Sequence, residues 1–182
     1  MSKRLILVMP CYNEEEVLEE TARQAEAKIR DLIKQGRIAG DSRILFVDDG
    51  SRDRTWALIA SLHAQPESLV CGLKLAHNRG HQKALYAGLM AAREMGDLSV
   101  SMDADLQDDL GVLDGFLDAW EDGCEIVYGV RKSRETDTIF KRGTALAFYR
   151  LMKGLGADIV ENHADCRLMT RKALDALAGY RE

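Results

Sequence analysis

Two carboxylates one residue apart, Asp103 and Asp105, follow a short apolar run in the segment SMDADLQDD. Carboxylates so spaced at a strand end repel each other, and both can turn toward one cation that offsets the repulsion. Oxygen donors without His or Cys favour Mg2+ or Mn2+ over zinc. Other polar groups stand after other apolar runs: PCYNE at 10–14, Asp48-Asp49-Gly50-Ser51 at 48–51, and Arg131. Residues 131–153 hold seven Lys or Arg against two acids, in a chain of net charge −5. A local basic excess beyond a cation-binding pair suits a polyphosphate ligand, with Arg131 and Arg142 as candidate partners. Lys132, Arg134, Arg150 and Lys153 read as an ordinary solvated face. Taken singly, each group has a plainer reading. Asp48 fits a cap or a loop hydrogen bond, Asp49 could do the same, Tyr12 could be packing, and a lone DxD arises by chance in acidic chains. The weight lies in their combination.

The elements that must position these groups alternate between strand and helix. Compact apolar runs predict strands over 3–9, 43–47, 69–75, 98–102 and 125–129. Leu18, Ala22, Ala25, Ile29 and Leu32 recur at helical spacing, so 14–35 reads as an amphipathic helix with Asn13 as its N-cap. Further helices are expected over 54–63, 82–95, 108–120, 139–155 and 170–178. This alternation predicts an α/β sandwich around a mostly parallel sheet, which binds ligands at the carboxyl ends of its strands.

Composition narrows the function. The chain has 182 residues, 46% hydrophobic and 30% charged, with only two prolines, as expected of one globular domain. Its acidic balance disfavours a general nucleic-acid binder. No apolar stretch is long enough to span a bilayer, and the start does not read as a secretory signal. Cys11, Cys71, Cys124 and Cys166 form no CxxC pair, and read as reduced thiols, Cys11 as packing. There is no Walker motif and no GxGxxG. A receiver domain, suggested by ILFVDDGS, would need an acid near the end of the third strand, where Lys74-Leu75-Ala76-His77 stands instead.

The ordered set PCYNEE, LFVDDGSRDRT, LAHNRGHQKALYAGL, SMDADLQDD and YGVRKSRETDTIFKR resembles glycosyltransferase family 2 over nearly the whole chain. It is most similar to the polyprenyl-phosphate branch, to which HADCRLMTRKAL also points. The resemblance implies a GT-A-like three-layer α/β sandwich, a nucleotide-sugar donor and Mg2+ or Mn2+. It implies a nucleoside held by Pro10, Tyr12, Glu14, Val47 and Asp49. The metal and diphosphate would be held by Asp103, Ala104, Asp105 and Gln107, and the donor phosphates met by Arg131 and Arg142. Asp103 and Asp105 carry the catalytic weight through the metal.

The reaction so implied is inverting transfer of a sugar, UDP-glucose being the first choice of donor, to a polyprenyl phosphate. A phosphate monoester is largely ionised near pH 7, so it can attack without a strong base. No general base is assigned, and Asp165 is an acceptor-side candidate. The alternative is a non-catalytic nucleotide-binding or scaffold module of the same fold. Residues 1–182 are expected to be one catalytic domain lacking the C-terminal acceptor-binding and membrane segments usual in the branch. The full-length protein is then expected at the cytoplasmic face of the plasma membrane, serving the cell envelope.

Overall fold

The computed structural model describes residues 2–105, 109–130 and 163–180. Six strands form one sheet: β1 (Leu5–Cys11), β2 (Arg43–Asp48), β3 (Val70–Lys74), β4 (Leu98–Ser101), β5 (Ile126–Val130) and β6 (His163–Thr170). Their order is β3-β2-β1-β4-β6-β5, with β1 to β4 parallel and β6 antiparallel to both neighbours. The described helices are α1 (Leu18–Lys34), α2 (Thr55–His63), α3 (His81–Met95), α4 (Val112–Glu121) and α5 (Arg171–Ala178).

Strand alternation divides the core into two layers. Leu5, Leu7, Met9, Ile44, Phe46, Leu98 and Val100 face the side covered by α1, α2 and α4. Ile6, Val8, Leu45, Val47 and Met169 face α3 and α5. The central strands are therefore apolar on both faces, which is why they read as continuous runs rather than alternating ones. The expected three-layer sandwich with a mostly parallel sheet is what forms. Gly88 lets α3 approach closely, since a Cβ there would stand 2.6 Å from Val8 and 2.7 Å from Val47.

Three sequence expectations need correction. Helix α1 starts at Leu18, behind Val17, with no side-chain cap. Each buried Leu or Ile of its inner face contributes roughly 1.5–3 kcal/mol, against about 1 kcal/mol for a cap, so packing sets where the helix starts. Asn13 instead takes a left-handed φ of 56° and bonds elsewhere. Strand β1 runs through Pro10 to Cys11, tolerated because pairing with β4 ends at Val8↔Ser101, leaving Pro10 an edge on that side. Strand β6 was not anticipated at all. It inserts between β4 and β5, carrying Cys166 and Leu168 on one face and Arg167 and Met169 on the other. The helix expected over 139–155 lies outside the described residues.

Candidate active site

The loops after β1 and β2 are laced together by reciprocal side-chain to backbone bonds. The Asn13 amide donates to Ser51 Oγ at 3.0 Å, and Asn13 Oδ1 accepts from the Arg52 amide at 2.9 Å. The Glu14 amide donates to Thr55 Oγ1 at 2.9 Å, and the Glu15 amide to Asp53 Oδ2 at 3.1 Å. Glu15 Oε2 in turn accepts from the Arg54 amide at 2.9 Å. Such bonds satisfy amides that neither sheet nor helix can reach. They also hold the backbone on which Tyr12 and Glu14 are mounted.

A second junction joins the loops after β2 and β3. Both Asp49 oxygens accept from backbone amides, Oδ1 from Arg79 at 2.7 Å and Oδ2 from Gly80 at 2.8 Å. Gly50, at φ 69°, passes so close that a Cβ would lie 2.6 Å from His77 C and Asn78 N. Neighbouring Asp48 is buried, and its Oδ1 accepts from the Ser51 amide at 3.0 Å, the loop hydrogen bond expected of it.

The third loop carries the acidic pair. Thr21 of α1 is buried and donates its hydroxyl to the Ala104 carbonyl at 2.8 Å, which fixes the peptide between Asp103 and Asp105. At the first residue of α3, His81 Nε2 lies 3.8 Å from Asp103 Oδ1.

These loops enclose one cleft of about 320 Å³ at the carboxyl end of the parallel strands. Of the residues expected to bind donor and metal, Pro10, Tyr12, Glu14, Asp49, Asp103, Ala104 and Asp105 line it together. Val47 does not; it is fully buried beneath the cleft, packed under α3. Gln107, Arg131 and Arg142 lie outside the described residues, as does the side chain of Asp165. Asn78, Gly80, His81 and Ala84 line the cleft without having been singled out. Their signal was the LAHNRGHQKALYAGL segment, which carries the family resemblance and opens with a polar loop at the carboxyl end of β3, but to which no site role was assigned. Cys11 also borders the cleft, but its Sγ faces the Val47 carbonyl at 3.5 Å. Burial and the Asp48 carboxylate push its thiol far up, so it stays a packing group.

The electrostatics favour a cation. The Glu14 carboxyl is raised above its ordinary range, first by burial and then by Asp105, Asp53 and Asp103. The negative charge of its neighbours thus disfavours a further carboxylate at Glu14 and favours a cation beside it. No cage of three or more His, Cys, Asp or Glu ligands forms among the described residues. Two carboxylates nevertheless fit a hard cation that completes its shell with phosphate oxygens and water. The donor set therefore suits Mg2+ or Mn2+ bound jointly with a phosphate ligand.

The family profile described as Glycosyl transferase family 2 matches residues 6–178. The chain is 57% identical over 178 residues to the uncharacterized glycosyltransferase YkoT of Bacillus subtilis, covering 98% of this chain and 52% of that one. It is 35% identical over 176 residues to the bactoprenol glucosyl transferase of Shigella phage SfX, covering 94% of this chain and 54% of the relative. The chain thus spans about half the length of these curated relatives. Among solved structures, the mannosyltransferase PcManGT from Pyrobaculum calidifontis, in complex with GDP-Man and Mn2+, superposes with a TM-score of 0.64 at 20% identity. That match covers 100% of this chain and 48% of the other, and shows the GT-A fold.

Proposed function

The chain belongs to glycosyltransferase family 2, and from that premise we propose that it transfers a hexose from a nucleoside-diphosphate sugar to a polyprenyl phosphate, with inversion at the anomeric carbon. Glucose from UDP-glucose is the first choice of donor. The observation that carries this reading is the convergence of Tyr12, Glu14, Asp49, Asp103 and Asp105, from three separate strand ends, in one cleft. The bactoprenol glucosyl transferase named among the relatives supports the lipid phosphate acceptor.

Each residue has a physical task in this reading. Tyr12 offers a ring, 38% exposed, against which a base can stack. Asp49, locked by two amides, presents its remaining lone pairs to a base N–H. Asp103 and Asp105 hold Mg2+ or Mn2+, with Gln107 as a third ligand, and Arg131 and Arg142 meet the diphosphate. The bound cation supplies charge stabilisation to the departing nucleoside diphosphate. Pro10, Ala104 and the laced loops exclude water from the diphosphate, which strengthens each of these contacts. The acceptor phosphate oxygen, already anionic, attacks from the face opposite the leaving group. No side chain has to remove a proton.

No helix among the described residues is long and apolar enough to cross a membrane. A polyprenyl acceptor places the reaction at a membrane surface, which we assign to the cytoplasmic face of the plasma membrane. The test is transfer of labelled glucose from UDP-glucose to a polyprenyl phosphate in detergent micelles with Mn2+. The expected product is a Mn2+-dependent glycolipid that Asp105→Asn abolishes. Binding of the donor with no lipid product from any nucleotide sugar would leave a nucleotide-binding module instead.

A further inference from the structure

Strand β6 introduces a charged side chain that the site described above does not use. Arg167 stands opposite Ser101 of β4 and Tyr128 of β5 in the ladder, so the three side chains share a face of the sheet. Leu98, Val100, Met102 and Ala104 all belong to the core layer under α1 and α4. Alternation therefore turns Ser101 and Asp103 to the opposite side, the side of α3. Arg167 has the same parity as Met169, which packs in the α3 layer. It is thus on the same side as Asp103, which stands two residues beyond its ladder partner Ser101.

The guanidinium is only partly solvated. Its Nε is shut off from solvent and has no acceptor, while its Cζ lies 5.8 Å from the centre of the Tyr128 ring. Among the described residues no carboxylate pairs with it. Stacking on tyrosine holds an arginine in place but leaves its in-plane donors unused. Withdrawing a cation from water without an anionic partner is costly. A half-buried arginine on the face of Asp103, with in-plane donors to spare, is suited to receive an anion.

We propose that Arg167 is a phosphate-binding residue of this cleft, its guanidinium donating to phosphate oxygens held beside Asp103. This deepens the glycosyltransferase reading and rests on it for the origin of the phosphate. Either the donor diphosphate or the monophosphate of the lipid acceptor has the required chemistry, and both bring planar-matched anionic oxygens to an arginine fork.

The test compares the wild-type protein with Arg167→Gln, Arg167→Lys and, as a control on overall charge, Lys172→Gln, an exposed residue paired with Glu125. Calorimetry with inorganic pyrophosphate, UDP and GDP in Mn2+ reads the donor side; the apparent KM for a polyprenyl monophosphate reads the acceptor side. Losing charged hydrogen bonds should weaken one of the two about tenfold or more in Arg167→Gln. A loss in pyrophosphate and nucleotide affinity assigns the donor diphosphate; a loss confined to the lipid KM assigns the acceptor. The melting temperature should hold or rise, because no ion pair is broken; Arg167→Lys supplies a charge-retaining variant should the glutamine protein not fold. If the wild type binds pyrophosphate through Arg167 yet transfers no sugar, the proposed reaction falls and the phosphate site stands. Unchanged affinities and KM in both Arg167 variants, or no phosphate binding by the wild type, would overturn the assignment.

Discussion

The Thr21 hydroxyl in α1 donates to the Ala104 carbonyl at 2.8 Å, across 83 residues of chain. One buried side chain thereby holds the residue that separates Asp103 from Asp105. Replacing Thr21 with Val keeps the shape but leaves a buried carbonyl without its donor, at a cost of about 1–3 kcal/mol. Urea denaturation should show that loss in Thr21→Val and little of it in Thr21→Ser. Affinity for nucleotide with Mn2+ should fall in the same order.

The lacing of the first two loops predicts coupling between residues far apart in sequence. Asn13→Ala and Ser51→Ala each remove a bond between the same two segments. Their double mutant should be less destabilised than the sum of the singles, by about 0.5 kcal/mol or more. Strict additivity in denaturant midpoints would contradict the lacing.

Gly50→Ala should be among the more damaging small substitutions. A left-handed backbone and 2.6 Å approaches to the 77–78 backbone both oppose a Cβ. A loss of at least about 1 kcal/mol is expected from the backbone conformation alone. Thermal melts against Gly40→Ala, where nothing lies within 4 Å, provide the comparison.

Glu14 gives a pH prediction. Its carboxyl is raised in the folded protein, so the folded state binds the proton more tightly than the unfolded chain does. Stability therefore falls as pH rises from about 4.5, the unfolded value, through the raised folded value, and is level beyond it. Glu14→Gln should flatten that part of the pH–stability curve and raise the melting temperature at pH 7. A steeper fall in the variant would reverse the sign assigned to this group.

Much of this arrangement was legible in the residues themselves. Continuous apolar runs gave β1, β2 and β4, because strands buried on both faces leave no polar gap. The period of Leu18, Ala22, Ala25, Ile29 and Leu32 marked the inner face of α1, and all five are buried. The ends of the strands then located Tyr12, Asp49 and the Asp103/Asp105 pair. What escaped was long-range. Asn13 has the composition of a cap, yet its partners Ser51 and Arg52 come from another loop. Strand β6 pairs with residues more than 60 positions away at β4, and its Arg167 interrupts the apolar pattern that would have announced it. His81 and Asn78 flank the 79–80 amides that Asp49 ties to the end of β2, a tie between loops 30 residues apart.

The central claim is that the cleft binds a nucleoside diphosphate sugar jointly with a divalent cation. Calorimetric titration of the protein with UDP, UDP-glucose and GDP-mannose, in Mn2+ and then in EDTA, tests it most directly. The account predicts Mn2+-dependent binding of one nucleotide series, lost in Asp105→Asn, with Mn2+ raising the melting temperature of the wild type only. Binding that is indifferent to EDTA and to Asp105, or no binding at millimolar ligand, would contradict it.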